Sequence, residues 1–205
     1  MPNPYQVVED FEAALCDYTG AKYAVTVTSC TMALLLACRW HYFNPGNAEP
    51  LSTITIPKKT YVSVPQSIIH AGFNVEFNDN DFVGTYPLRP YPIFDSARLF
   101  TSGMHFLGAF ECVSFHWSKT LSIGQGGAIL HDNDEADEWF RRARFDGRTQ
   151  GIAPKDDDFD MLGYHCYMSP RDAAEGLSRL ALLPKHNKPL PNDDYPDLSK
   201  FEVFK

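Results

Sequence analysis

Residues 113–127 read Val113-Ser-Phe-His-Trp-Ser-Lys-Thr-Leu-Ser-Ile-Gly-Gln-Gly-Gly127. An apolar strand at 113–115 runs into a polar turn carrying one lysine, then a glycine-rich turn, then a second apolar strand at 128–130. Gly124, Gly126 and Gly127 allow backbone with φ > 0 and close approach of a ligand. A lysine lodged among apolar strands has its charged form disfavoured, which makes its amine a nucleophile toward a carbonyl: Schiff-base chemistry. The competing reading is an ordinary strand–turn–strand connection whose lysine extends to water. Spacing alone leaves both open.

Composition narrows the setting. With 205 residues and 44% apolar types, the chain can bury one sizeable core, so one domain is expected. A net charge of −8 argues against nonspecific binding to nucleic acid or to an anionic membrane. The five cysteines (16, 30, 38, 112 and 166) are odd in number and form no CxxC pair, which argues against a disulfide framework or a zinc site. A reducing cytoplasm is the compartment expected. Met-Pro-Asn-Pro at the N-terminus lacks the basic and apolar regions of a signal peptide, and no apolar run is long enough to span a bilayer.

Taken in order, residues 5–18 predict an amphipathic helix with Val7, Val8, Phe11 and Leu15 on one face and Gly20 as its C-terminal cap. Residues 23–28 predict a strand that feeds an apolar helix capped by Thr28 or Ser29. A strand entering a helix N-terminus offers free N–H groups and the positive end of the helix dipole, an anion site; plain capping is the alternative. A turn at 44–52 precedes a strand at 53–56, a helix ending at Gly72, and a strand at 74–77. Residues 79–91, with prolines at 87 and 90, read as a connection. A strand then ends at Asp95, at the strand end where α/β sheets bind ligands. Residues 134–145 predict a helix, and Ser169-Pro170-Arg171-Asp172 opens another that runs to about Leu183. Pro184, Pro189, Pro191 and Pro196 mark an extended tail over 184–205.

Ser114-Phe115-His116-x-x-Lys119 followed by Gly124-Gln125-Gly126-Gly127 resembles the SFHxxK…GEGG signature of the DegT/StrS family, the pyridoxal-phosphate (PLP) sugar aminotransferases of fold type I. Gln125 stands where that family usually has Glu. Other stretches carry the same resemblance. Residues 28–37 are similar to SSGTAALHLA, residues 60–72 to a strand–loop–helix stretch, 91–98 to VIEDAAQ, and 161–169 to LGYNYRMS. The fold it implies for residues 1–183 is α/β, a mostly parallel sheet flanked by helices, resembling the large PLP-binding domain of fold-type-I aminotransferases. The family's long insertion is replaced by residues 79–91, and the small second domain is not represented.

The resemblance also implies a site. Lys119 would be the Schiff-base lysine and the catalytic base. Cys30 and Thr31 would bind the cofactor phosphate, Cys30 standing where the family has glycine, and Ser114 would join them. Tyr61 would lie flat on the cofactor ring. Asp95 would pair with the pyridine nitrogen and keep it protonated. Arg98, replacing Gln or His, would reach the phenolic oxygen or a substrate carboxylate. His165, replacing Asn, would reach across a homodimer to the partner's phosphate. The implied reaction moves an amino group from an amino acid donor, glutamate or glutamine, to a nucleotide-linked keto sugar. The opposing reading is a PLP-binding or cofactor-free interaction protein. It is motivated by the missing segments and by the departures at Cys30, Arg98, His165 and Tyr167.

Overall fold

In the computed structural model, residues 3–44, 53–192 and 194–204 are described. The chain opens with α1 (Gln6–Thr19), β1 (Tyr23–Val27) and α2 (Cys30–Phe43), and continues through β2 (Thr53–Pro57), α3 (Ser63–His70) and β3 (Asn74–Asn78). Short strands β4 (Tyr86–Leu88) and β5 (Ile93–Asp95) precede β6 (Phe110–Ser114) and β7 (Gly127–His131), followed by α4 (Asp134–Ala143) and α5 (Pro170–Leu180). The predicted caps form. Gly20 closes α1 in the left-handed region, Ser29 accepts from Met32 N at the start of α2, and Ser169 accepts from Asp172 N at the start of α5. The turn expected at 44–52 lies, beyond Asn44, outside the described residues.

Five strands form one sheet in the order β1-β7-β6-β5-β4, and β2 and β3 form a parallel pair. The α/β class and the flanking helices are as expected, but the sheet is mixed rather than mostly parallel. Only β5 and β6 run parallel in the larger sheet; β7 is antiparallel to both its neighbours and β4 is antiparallel to β5. The reason lies in the decisive stretch itself. The connection from β6 to β7 is a turn with no crossover helix, so the chain must return antiparallel. β4 is a second departure. Pro87 argues against a strand, yet at the edge of a sheet proline is tolerated.

Helices cover both faces. Val25, Val27, Cys112 and Ile129 point into a core shared with α2, α3 and α4. Ala24, Val113, Ala128 and Leu130 point into a second core with Phe11, Leu15 and Ala173 of α1 and α5. With both faces buried, β6 and β7 read as continuous apolar runs rather than alternating ones. The tail beyond α5 is seated on the body: Ser102 N donates to Lys185 O (2.8 Å) and Leu190 N to Arg98 O (2.8 Å).

Candidate active site

Strand directions decide where the site falls. β1, β5 and β6 point the same way, and β7 begins where they end. One edge of the sheet therefore collects Val27, Gly127, Ser114 and Asp95, with the N-terminus of α2 immediately after β1. A cavity of about 390 Å³ opens at this edge. Seven of the eight residues expected at the site line it: Cys30, Thr31, Tyr61, Asp95, Arg98, Ser114 and Lys119.

Gly127 shows how closely the parts are fitted. A Cβ there would sit 2.5 Å from Cys30 N and 2.6 Å from Ser29 C, so only glycine lets the α2 N-terminus rest on β7. Gly124 and Gly126 serve the turn differently, at φ 98° and 149°. Cys30 is the first residue of α2. Its position calls for ordinary helical backbone, which cysteine adopts, and its Sγ donates to Cys112 O (3.4 Å). The Thr31 and Ser63 hydroxyls meet at 2.7 Å at the cavity wall. First-turn amides have no intrahelical acceptor, so this corner presents N–H and O–H donors together.

Asp95 is buried and also lines this cavity. Its Oδ1 accepts from Ala97 N (3.0 Å) and its Oδ2 from the Tyr86 hydroxyl (2.8 Å), which in turn meets Thr60 Oγ1 at 2.5 Å. Burial pushes the carboxyl upward from its usual range, opposed by those two hydrogen bonds and by the charges of Lys119 and Arg98. Tyr86 was not foreseen from sequence. Its only signal was an aromatic flanked by glycine and proline in a stretch read as a connection.

Lys119 is half-buried at the cavity rim, its backbone held by a turn in which its N–H donates to His116 O (2.9 Å). Arg98 is buried, and its Nε donates to Pro191 O (2.7 Å). Tyr61 is 57% exposed and meets the ring of Tyr195 at 6.3 Å, nearly edge-on. His165 is not brought to this cavity: it is exposed and faces Asp146 at 2.9 Å.

An amine, a buried carboxylate and a helix N-terminus in one cavity, on a mixed sheet between helical layers, are the arrangement of a fold-type-I aminotransferase-like domain. The sequence profile of the DegT/DnrJ/EryC1/StrS aminotransferase family matches residues 2–91 and 103–189, and the chain belongs to that family. It is 28% identical over 233 aligned positions to a UDP-4-amino-4,6-dideoxy-N-acetyl-beta-L-altrosamine transaminase of Campylobacter jejuni, covering 88% of this chain and 57% of that protein. It is 40% identical over 226 positions to the spore coat polysaccharide biosynthesis protein SpsC of Bacillus subtilis, covering 86% and 57%. Among solved structures, AtS13 of Actinomadura melliaura superposes with a TM-score of 0.75 at 22% identity, covering 85% of this chain and 59% of that one. The PseC aminotransferase of Helicobacter pylori, involved in pseudoaminic acid biosynthesis, superposes with a TM-score of 0.70 at 19% identity, covering 85% and 57%. The chain thus spans little more than half the length of these curated relatives.

Proposed function

We propose that this chain holds pyridoxal phosphate and carries out amino transfer from an amino acid donor to a keto sugar, in the manner its family name describes. The observation that carries the reading is that Lys119 and Asp95 line one cavity with the N-terminus of α2. The residues fit the group. The corner formed by the α2 amides, Thr31 and Ser114 suits a phosphate. The buried Asp95 suits a ring nitrogen that must stay protonated, and Tyr61 offers a flat face for the ring.

When bound, the cofactor supplies an electron sink for the α-carbon of an amino acid. The chain's own groups do the rest. Lys119 provides the amine for covalent attachment. The same amine, free of that link, would serve as the base that takes the proton from the donor's α-carbon. Asp95 would hold the ring nitrogen protonated, and its hydrogen bonds from Ala97 N and Tyr86 fix its orientation. Arg98 offers a cation beside the cavity for a donor carboxylate.

Glutamate or glutamine as donor and a nucleotide-linked keto sugar as acceptor are the substrates we assign, since the similar proteins include nucleotide-sugar transaminases. A homodimer, in which exposed His165 reaches the partner's phosphate, and a cytoplasmic location complete the reading. Among the described residues no helix is long and apolar enough to cross a membrane. Residues 1–183 are proposed as the cofactor domain and 184–205 as its tail. Lys119→Ala is the test. The variant is expected to lose the visible absorption that added PLP gives the wild type, and to lose turnover with glutamate or glutamine. Turnover surviving in it would refute the assignment.

A further inference from the structure

The family profile ends at residue 189, yet the chain beyond it lies against the cavity. Residues 190–192 and Leu198 are held at several points. Leu190 N donates to Arg98 O (2.8 Å) while Arg98 Nε donates to Pro191 O (2.7 Å). Asn192 Nδ2 donates to Phe82 O (2.6 Å). Leu198 N donates to Lys58 O (2.9 Å), and its side chain is buried. Just upstream, Pro189 packs so closely on Gly84 that a Cβ on the glycine would fall 2.8 Å from it. Between these attachments Tyr195 turns into the cavity wall, its ring 6.3 Å from the Tyr61 ring and 5.9 Å from the Arg98 guanidinium.

We propose that residues 190–192 and 194–198 form a seated strap, and that Tyr195 is a positioning residue that holds the Tyr61 ring over the cavity for a flat, anionic ligand. This rests on the cofactor reading above. Tyr61 lies just before α3, more than half exposed, and its ring meets that of Tyr195 edge to face. An aromatic ring held by a second ring loses little further freedom when a ligand stacks on it. The strap also fixes Arg98 through both its carbonyl and its Nε, so one segment sets an aromatic face and a cation together.

The test is a double-mutant cycle on the full chain, with PLP affinity measured by absorbance titration. Tyr195→Ala should weaken binding roughly three- to tenfold. Tyr195→Phe, which keeps the ring, should stay within about twofold. Because Tyr195 acts through Tyr61, the double variant Tyr61→Ala/Tyr195→Ala should bind about as Tyr61→Ala alone does. Fully additive losses, or an unchanged Tyr195→Ala, overturn the positioning role while leaving the cofactor reading intact. Amide hydrogen exchange tests the strap without ligand: slow exchange at Leu190 and Leu198 supports seating, and rapid exchange at both overturns it. A wild type that takes up no PLP overturns the cofactor reading, and Tyr195's part in it with it.

Discussion

Replacing Gly127 by alanine should do more damage than any other single methyl added to the turn after Lys119. Gly127 is absent from the positive-φ glycines, so alanine could adopt its backbone; the constraint is space alone. The added Cβ would meet Cys30 N at 2.5 Å, Ser29 C at 2.6 Å and Val113 O at 2.8 Å, all of them backbone atoms. No side chain can rotate away, so β7 and the α2 N-terminus must separate by roughly 1 Å to reach ordinary contact. Overpacking of that kind costs about 3 kcal/mol, which lowers the melting temperature of a chain this size by about 6–12 °C. Gly124→Ala is the control. Nothing lies within 4 Å of its Cβ, but its φ of +98° is unfavourable to alanine, so a cost of about 1–2 kcal/mol is expected. Differential scanning calorimetry of both variants, with PLP titration beside it, makes the measurement. Gly127→Ala should also lose ligand affinity, because the amides of Cys30 and Thr31 move with the helix. If it melts within about 1 °C of the wild type, the close packing of α2 on β7 is wrong, and so is the account of the anion corner built on it.

Three further outcomes follow from buried charge. Asp95 has its pKa raised by burial, so its contribution to stability is present below its unfolded value and declines as pH rises. Asp95→Asn should therefore raise the ligand-free melting temperature at neutral pH while abolishing PLP binding, and a variant that melts lower would contradict the burial argument. Glu111 is buried beside His105 (2.6 Å), and burial lifts its carboxyl to about 8. Stability from this group is complete below about 4.5 and lost as pH rises toward about 8, so Glu111→Gln should flatten the denaturant midpoint across that window. Glu12 is buried too, but the positive charges of Arg144 and Arg141 outweigh burial and hold its carboxyl below the usual range. Glu12→Ala would strand a buried guanidinium and should cost about 3–5 kcal/mol by urea unfolding, whereas breaking an exposed pair such as Lys22–Asp134 should leave the midpoint nearly unchanged.

The sequence was most readable where one local signal implied one local structure. Ser29 and Ser169 were found as helix caps because a capping hydroxyl serves amides two or three residues on, within the same short stretch. Lys119, Asp95 and Thr31 are named by the family resemblance; local rules add only that each stands at a boundary between a strand and a turn or helix, and the structure places all three on one cavity. Sheet direction is less readable: the connection from β6 to β7 lacks helical periodicity, which implies an antiparallel return, whereas the family resemblance implies a mostly parallel sheet. Tyr86 and Tyr195 were unreadable for a different reason. Their partners are distant in the chain, and both lie in proline-rich stretches where local rules predict only extended backbone.

Those two tyrosines bear on the segment between β3 and β5, which the family resemblance implies is short. Its alignment to the Campylobacter jejuni transaminase spans 233 positions, more than the 205 residues of this chain, so the relative carries residues that this chain lacks. A deletion beside a sheet should expose an edge and leave a buried carboxylate short of partners. Neither is seen. β4 pairs with β5 on one side, and Arg89, the residue after it, exchanges two hydrogen bonds with Thr55 of β2, so the two sheets are stitched together across the shortened segment. The same three-residue strand aims the Tyr86 hydroxyl at Asp95 and braces it against Thr60. Pro189, just before the strap, packs on Gly84, and the strap's Asn192 hydrogen-bonds Phe82, both in the loop leading into β4. An idle remnant has no need of a buried Tyr86–Asp95 hydrogen bond, whose carboxylate is costly to bury. Keeping it beside Lys119 favours a cavity that holds a ligand over one that has lost its use.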